Sequence, residues 1–419
     1  MSSEGFAEIY QKPITDGACN YQEISQYSAD HSEYFLFTAR YFMRIAEPIN
    51  PLFFFDKRLR VFILALIVAA FFFGFADQVW DRNFERLHIF LFNLCAGGFI
   101  ILYHTENGAK PSLSCFAFLF LSLCYALLAF LQYYTIAALL SFILGLLVES
   151  IRIRHFSLLP KELLSARVSV VDKFHHASIL CLSLALFIAT FVLLNSTALH
   201  WLPYKNLTLD VFFLGFSFPV SLITMSVMFS FIRRDINPIL RFQKQGFFWT
   251  VNLGVIIFFL FIVFELPVAK FVIATFLFFA VVLIFSFFLL LGINVQQKHF
   301  LLSGMVFLVF TGITGVFYIV LGDFPAAYEK WGRLLLTCHA YLALYGWGLS
   351  GLLILIRWND FPLKLNSWQI ISIHWLVIGI LAPLGKTNLV LAIISLIAFC
   401  LLLHMFFEEK DTAPLLDKK

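Results

Sequence analysis

Twelve apolar runs divide this chain, and Lys and Arg gather in alternate gaps between them. With the amino terminus on the cytoplasmic side, 22 of the 29 Lys and Arg residues fall inside and 7 outside. This is the asymmetry that orients helical membrane proteins. The pattern sets class, topology and orientation together: an all-α integral membrane protein of about twelve transmembrane helices, both termini cytoplasmic.

Composition agrees with a lipid solvent. The chain is 61% hydrophobic and 13% charged over 419 residues, where a soluble domain carries about a quarter charged residues. A hydrocarbon layer about 30 Å thick is crossed by roughly 20 apolar residues in a helix, whose backbone groups are satisfied within the segment. The runs predict helices over 61–77, 87–104, 112–132, 133–148, 176–194, 207–232, 247–264, 268–292, 299–321, 332–356, 367–383 and 386–407. Only Gln132, Tyr133 and Tyr134 mark the turn between the third and fourth. Residues 1–60 form a cytoplasmic tail, 61–407 the membrane domain and 408–419 a second cytoplasmic tail. The first 35 residues are polar, so the first helix is expected to act as the insertion signal.

The basic stretches Arg40 to Arg60, Arg152 to Lys173 and Arg233 to Lys244 all fall on the inner side. Insertion and membrane lipid account for them and for the net charge of +4, with no nucleic-acid surface. The seven cysteines form no CxxC pair, so neither a disulfide frame nor a thiolate zinc site is expected. The 149–175 segment is the largest loop, with room for a surface helix. Two glycosylation sequons, at Asn195 and Asn206, sit in a predicted outer loop. The Phe-rich spans suit a bacterial inner membrane, where such sequons carry no meaning. Gly97 with Gly98, Gly312 with Gly315, and Gly346, Gly348 and Gly351 are small enough to let helix backbones approach.

Ionisable side chains in lipid are costly and turn inward, so function is sought among them. Asp210, at the outer start of the sixth helix, and Glu265, at the outer end of the seventh, are candidates for a proton or cation path. The headgroup level accommodates both equally well. Glu149, His104, His175, His176, His299 and His404 lie near inner helix ends. His88 opens the second helix on the outer side, and His339 lies about two turns, ~10 Å, into the tenth from the same side. Two imidazoles at similar depth on different helices can clamp a haem between them. For any single histidine, including His374 in mid-helix, a satisfied core residue is the ordinary alternative.

Two runs then carry a resemblance. The second helix opens Glu85-Arg86-Leu87-His88-Ile89-Phe90-Leu91-Phe92, and the tenth reads His339-Ala340-Tyr341-Leu342-Ala343-Leu344-Tyr345-Gly346-Trp347. In helix number, depth and orientation these resemble the catalytic-subunit superfamily of the haem-copper oxidases and nitric-oxide reductases. That resemblance implies a twelve-helix bundle of the subunit I type, with a low-spin haem ligand at His88. In the tenth helix some members carry His-x-His before an aliphatic residue, Gly and Trp. Aligned on Gly346-Trp347, His339 matches the first of those, the proximal ligand of the high-spin haem, while Tyr341 replaces the second, the partner of the second-helix His. Residues two apart on a helix point about 200° apart, so His339 and Tyr341 serve opposite sides.

The chain departs from the family at the second metal. Asp210 stands near the sixth-helix position where the family has a His, and residues 247–267 contain no His. One carboxylate does not replace three imidazoles around copper, so copper and four-electron oxygen reduction are not expected. Of the family's propionate-binding basic pair between the last two helices, Lys386 alone remains. The early Trp-His-x-His expected of the haem-carrying membrane proteins of the nitric-oxide response is absent. Three readings follow. The first is a haem-binding member without the second metal, acting in electron transfer, gas sensing or respiratory-complex support beside a redox partner or another membrane subunit. The others are a proton- or cation-coupled transporter using Asp210 and Glu265, and a non-catalytic scaffold.

Overall fold

The computed structural model describes residues 57–106, 110–208, 213–232, 237–357 and 367–407. Asp210 and both tails beyond those bounds lie outside the described residues. The described chain is helical, with no strand. Its long helices, labelled here in chain order, are α1 (Lys57–Phe73), α2 (Glu85–Glu106), α3 (Leu113–Phe130), α4 (Tyr134–His155), α5 (Val170–Leu199), α6 (Phe213–Ser230), α7 (Pro238–Val263), α8 (Pro267–Leu291), α9 (Gln296–Leu321), α10 (Pro325–Ile356), α11 (Trp368–Gly385) and α12 (Leu389–Phe407). Ten of them are long and apolar enough to cross a membrane; α1 and α6 are not among the ten.

Local chemistry starts and stops these helices. The Ser112, Ser169 and Asn237 side chains accept from backbone N–H groups in the first turns of α3, α5 and α7. Pro238, Pro267 and Pro325 occupy first-turn positions, where their missing N–H costs nothing. Between α3 and α4 the turn is a Schellman motif. Gln132 takes φ 65°, its N–H donates to the Ala129 carbonyl (3.3 Å), and Tyr133 N–H donates to Leu128 (2.9 Å). Between α7 and α8 Glu265 repeats that geometry, with φ 53° and N–H bonds from Glu265 to Ile262 (3.2 Å) and from Leu266 to Phe261 (3.0 Å). At the far end of α8, Lys298 Nζ donates to the Leu289 and Gly292 carbonyls, placing a cation at the helix C-terminus.

The helices pack about a central pair. Along α2 and α10, 94% and 83% of the apolar stretch is buried, against 22% for α7 and 17% for α8. α2 is enclosed by α1, α3, α4, α5, α6 and α10, α6 packs on both central helices, and α1 meets α12. In lipid there is no hydrophobic drive between helices, so close backbone approach has to hold them. At Gly351 of α10 a Cβ would overlap the Thr224 side chain of α6. Both central helices widen into π turns midway, over Phe90–Gly98 and Leu342–Gly348.

Candidate functional site: the aromatic cluster around His88

The first turn of α2 buries His88, 4% exposed, against the end of α1. Its Nδ1 lies 2.7 Å from the Ala70 carbonyl. A carbonyl only accepts, so Nδ1 carries the proton and Nε2 keeps the lone pair, the tautomer a metal ligand needs. Tyr345 Oη stands 3.2 Å from the same Nδ1. The Tyr341 ring lies 5.7 Å from the imidazole centroid and the Tyr345 ring 5.5 Å. Phe71 and Phe75 flank Tyr341, and Phe71 stacks on Phe399 of α12 at 4.0 Å.

Gly74 is the hinge of this cluster. A Cβ there would sit 2.5 Å from Tyr341 Oη and 3.0 Å from His88 Cε1, so only glycine allows α1 to end against both rings. The Tyr341 hydroxyl is buried without a hydrogen-bond partner. Above it, Lys386 Nζ donates to the Gly74 carbonyl (2.7 Å) and to Asp77 Oδ1 (2.8 Å), while Arg333 reaches Asp77 Oδ2 at 3.3 Å. Gln78 Nε2 donates to the Gly385 carbonyl at 2.6 Å. The ends of α1, α10 and α11 are thereby tied into one polar cap over the aromatic cluster.

The opposite face of α10 carries His339. It is half-buried against α9, with Nδ1 3.0 Å from the Thr311 carbonyl and its ring beside Gly315, where a Cβ would lie 3.1 Å from Cε1. Nδ1 is again the protonated nitrogen. The two histidines thus face different helices, His88 toward α1 and His339 toward α9. What the structure brings together is His88 with Tyr341, and Lys386 beside them. His374 of α11 donates from Nε2 to the Tyr345 carbonyl (2.7 Å), a core histidine satisfied by a carbonyl in the π segment of α10. Glu265 is exposed at the α7–α8 turn, and α6 runs unbroken through Pro219, so neither offers the interrupted helix that transporters use at the midplane.

No family model, curated protein or solved structure matches this chain. What the site can hold therefore rests on its own residues. A haem iron needs a lone-pair nitrogen, and its propionates need a cation. His88 Nε2 supplies the first and Lys386 lies close for the second, while the unpaired Tyr341 hydroxyl and the bare Gly74 lie between them. This set offers one imidazole; His339, turned to α9, adds no second to it. The Tyr341 and Tyr345 rings pack beside the imidazole, their centroids 5.7 and 5.5 Å from its own. Two apolar clefts, about 500 Å³ between α9, α10 and α11 and about 680 Å³ along α7 and α8, are lined by neither histidine. Among the described residues no three His, Cys, Asp or Glu side chains are grouped to hold a metal ion.

A second buried network lies at the other end of the bundle. Arg152, 1% exposed, uses all five N–H groups: two on Glu149, one each on the Ser157 and Leu158 carbonyls, and one on His176 Nε2 at 2.9 Å. Because the guanidinium only donates, His176 carries its proton on Nδ1, 3.6 Å from Glu162 Oε2. The sequence names Glu149 and His176 only as residues near inner helix ends. Their convergence on Arg152 is visible from the fold alone, and so are the parts that Tyr345, Gly74 and Asp77 play around His88. The one sequence signal for Tyr345 is its spacing of four from Tyr341, which places both on one helix face.

Proposed function

We propose that this chain is an integral membrane haem protein on the twelve-helix plan of the haem-copper oxidase subunit I superfamily, lacking the second metal. His88 would ligate the haem iron, both termini are cytoplasmic, and the membrane is a bacterial inner membrane. The observation that carries the reading is the meeting of His88, Tyr341 and Lys386 around Gly74. The resemblance aligns these three residues with a haem ligand, the partner-ligand position and a propionate site, and they come from three separate parts of the chain.

A bound haem would supply a one-electron couple and a site for a small gas molecule. Ala70 holds the His88 ring in the tautomer that leaves Nε2 basic, and the aromatic residues keep water from it. Lys386 would exchange one of its present acceptors for a propionate, and the Tyr341 hydroxyl would gain the acceptor it lacks. His339 would play no part in holding this group. Electron transfer, gas sensing and support of a respiratory complex beside a redox partner all remain compatible with such a site. Protein purified from haem-sufficient cells is expected to show a Soret band that His88→Ala removes and His339→Ala retains. Colourless wild-type preparations would end the reading.

A further inference from the structure

The loop between α4 and α5 has a surface that the haem reading leaves unused. Arg152 clamps its start through the Ser157 and Leu158 carbonyls, and Gln245 Nε2 of α7 holds its end through the Val168 carbonyl at 3.2 Å. Between these anchors lies the one-turn helix Lys161–Leu164. Its acidic residue, Glu162, stands 3.6 Å from buried His176 with its side chain 43% exposed. Also outward are Leu158, Leu159 and Leu164, at 68%, 58% and 75% exposure, and exposed Lys161 and Arg167, so two cations stand beside one carboxylate. The side chains of Lys161 and Arg167 have no partner among the described residues.

Three bare leucines would be unfavourable in water, and two bare cations would be unfavourable in hydrocarbon. The boundary between the two suits both. The loop joins two helices long and apolar enough to cross a membrane, so it sits where the bundle leaves the hydrocarbon. It also lies at the end of the bundle that collects Arg154, Lys173 and the start of α7, the end the charge pattern assigns to the anionic cytoplasmic leaflet. We infer that the 157–168 segment is an anionic-phospholipid contact, with the leucines in the acyl boundary and Lys161 and Arg167 on phosphate headgroups. Each engaged cation is expected to favour anionic over zwitterionic lipid about fivefold.

Hydrogen–deuterium exchange on the full chain tests this, in nanodiscs of phosphatidylcholine alone and with about a third phosphatidylglycerol. The amides of 157–168 should exchange several-fold more slowly in the anionic discs. The Lys161→Glu, Arg167→Glu double variant should lose that difference while the rest of the exchange map stays unchanged. Leu158→Ser with Leu164→Ser should raise exchange of the segment in both lipids. Equal exchange in the two compositions would overturn the inference, as would a phosphatidylglycerol effect that survives the charge reversal. Protection seen only after a soluble protein fraction is added would assign the face to a protein instead.

Discussion

Removing the hydroxyl of Tyr341 should make the haem-free protein more stable. A buried phenol with no acceptor costs about 1–3 kcal/mol relative to one that is paired or hydrated, and Tyr341 Oη is such a group. Tyr341→Phe removes that penalty and leaves a space of about one oxygen atom, worth a few tenths of a kcal/mol at ~24 cal/mol per Å³. The expected net gain is about 1 kcal/mol. Tyr345→Phe is the comparison, because its hydroxyl oxygen, 3.2 Å from His88 Nδ1, can only share the N–H that already donates to Ala70, and losing that contact should cost about 0.5 kcal/mol or less. Reversible unfolding by SDS in mixed micelles, on protein from haem-depleted cells, reads both. A Tyr341→Phe protein less stable than wild type would refute the orphaned-hydroxyl argument, since it would mean the phenol has a partner. With haem bound the sign should reverse, because the hydroxyl then has work to do.

Three further substitutions follow from packing and backbone geometry. Gly351→Ala forces a methyl group onto the Thr224 side chain and should cost about 2–3 kcal/mol, with Thr224→Ala restoring most of it in the double variant; additive losses would contradict the contact. Glu265→Gly relieves a non-glycine residue at φ 53° and should stabilise by about 0.5–1 kcal/mol, whereas a carboxylate in a transport path would show up as lost flux instead. Arg152→Leu takes two hydrogen bonds from the half-buried Glu149 and releases the Ser157 and Leu158 carbonyls, for an expected loss of about 2–3 kcal/mol and faster proteolysis of the α4–α5 loop.

The helix positions were legible in the sequence because lipid imposes a hydropathy signal on every span. The helix starts were less so. α5 begins at Val170, α7 at Pro238 and α10 at Pro325, six to nine residues before the apolar runs at 176, 247 and 332. Hydropathy reports contact with hydrocarbon, whereas a helix continues into the headgroup layer as long as a cap such as Ser169 or Asn237 can start it. The α3–α4 break was legible only as a weak polar triplet, and Gln132 resolves it by adopting the left-handed conformation.

At the site, the opposition of His339 and Tyr341 followed from helical geometry, and each now faces a different neighbour as two residues about 200° apart should. Which neighbour each would face was not legible, since one helix's periodicity says nothing of how the next is rotated. The π turns add to this, because a widened turn shifts the phase of everything after it. The clamp on Arg152 was equally hidden: its partners come from three elements, and a charge on an inner helix end looks the same whether it reaches solvent or turns into the bundle. Asp210 lies outside the described residues, which leaves its sequence reading as it stood.

The central claim is one haem on one imidazole, and pyridine haemochrome stoichiometry measures it directly. Wild-type chain and the His339→Ala variant, purified from haem-sufficient cells, should each carry one haem per chain, and the His88→Ala variant none. Wild type without haem, or haem retained in His88→Ala and lost in His339→Ala, would contradict the account.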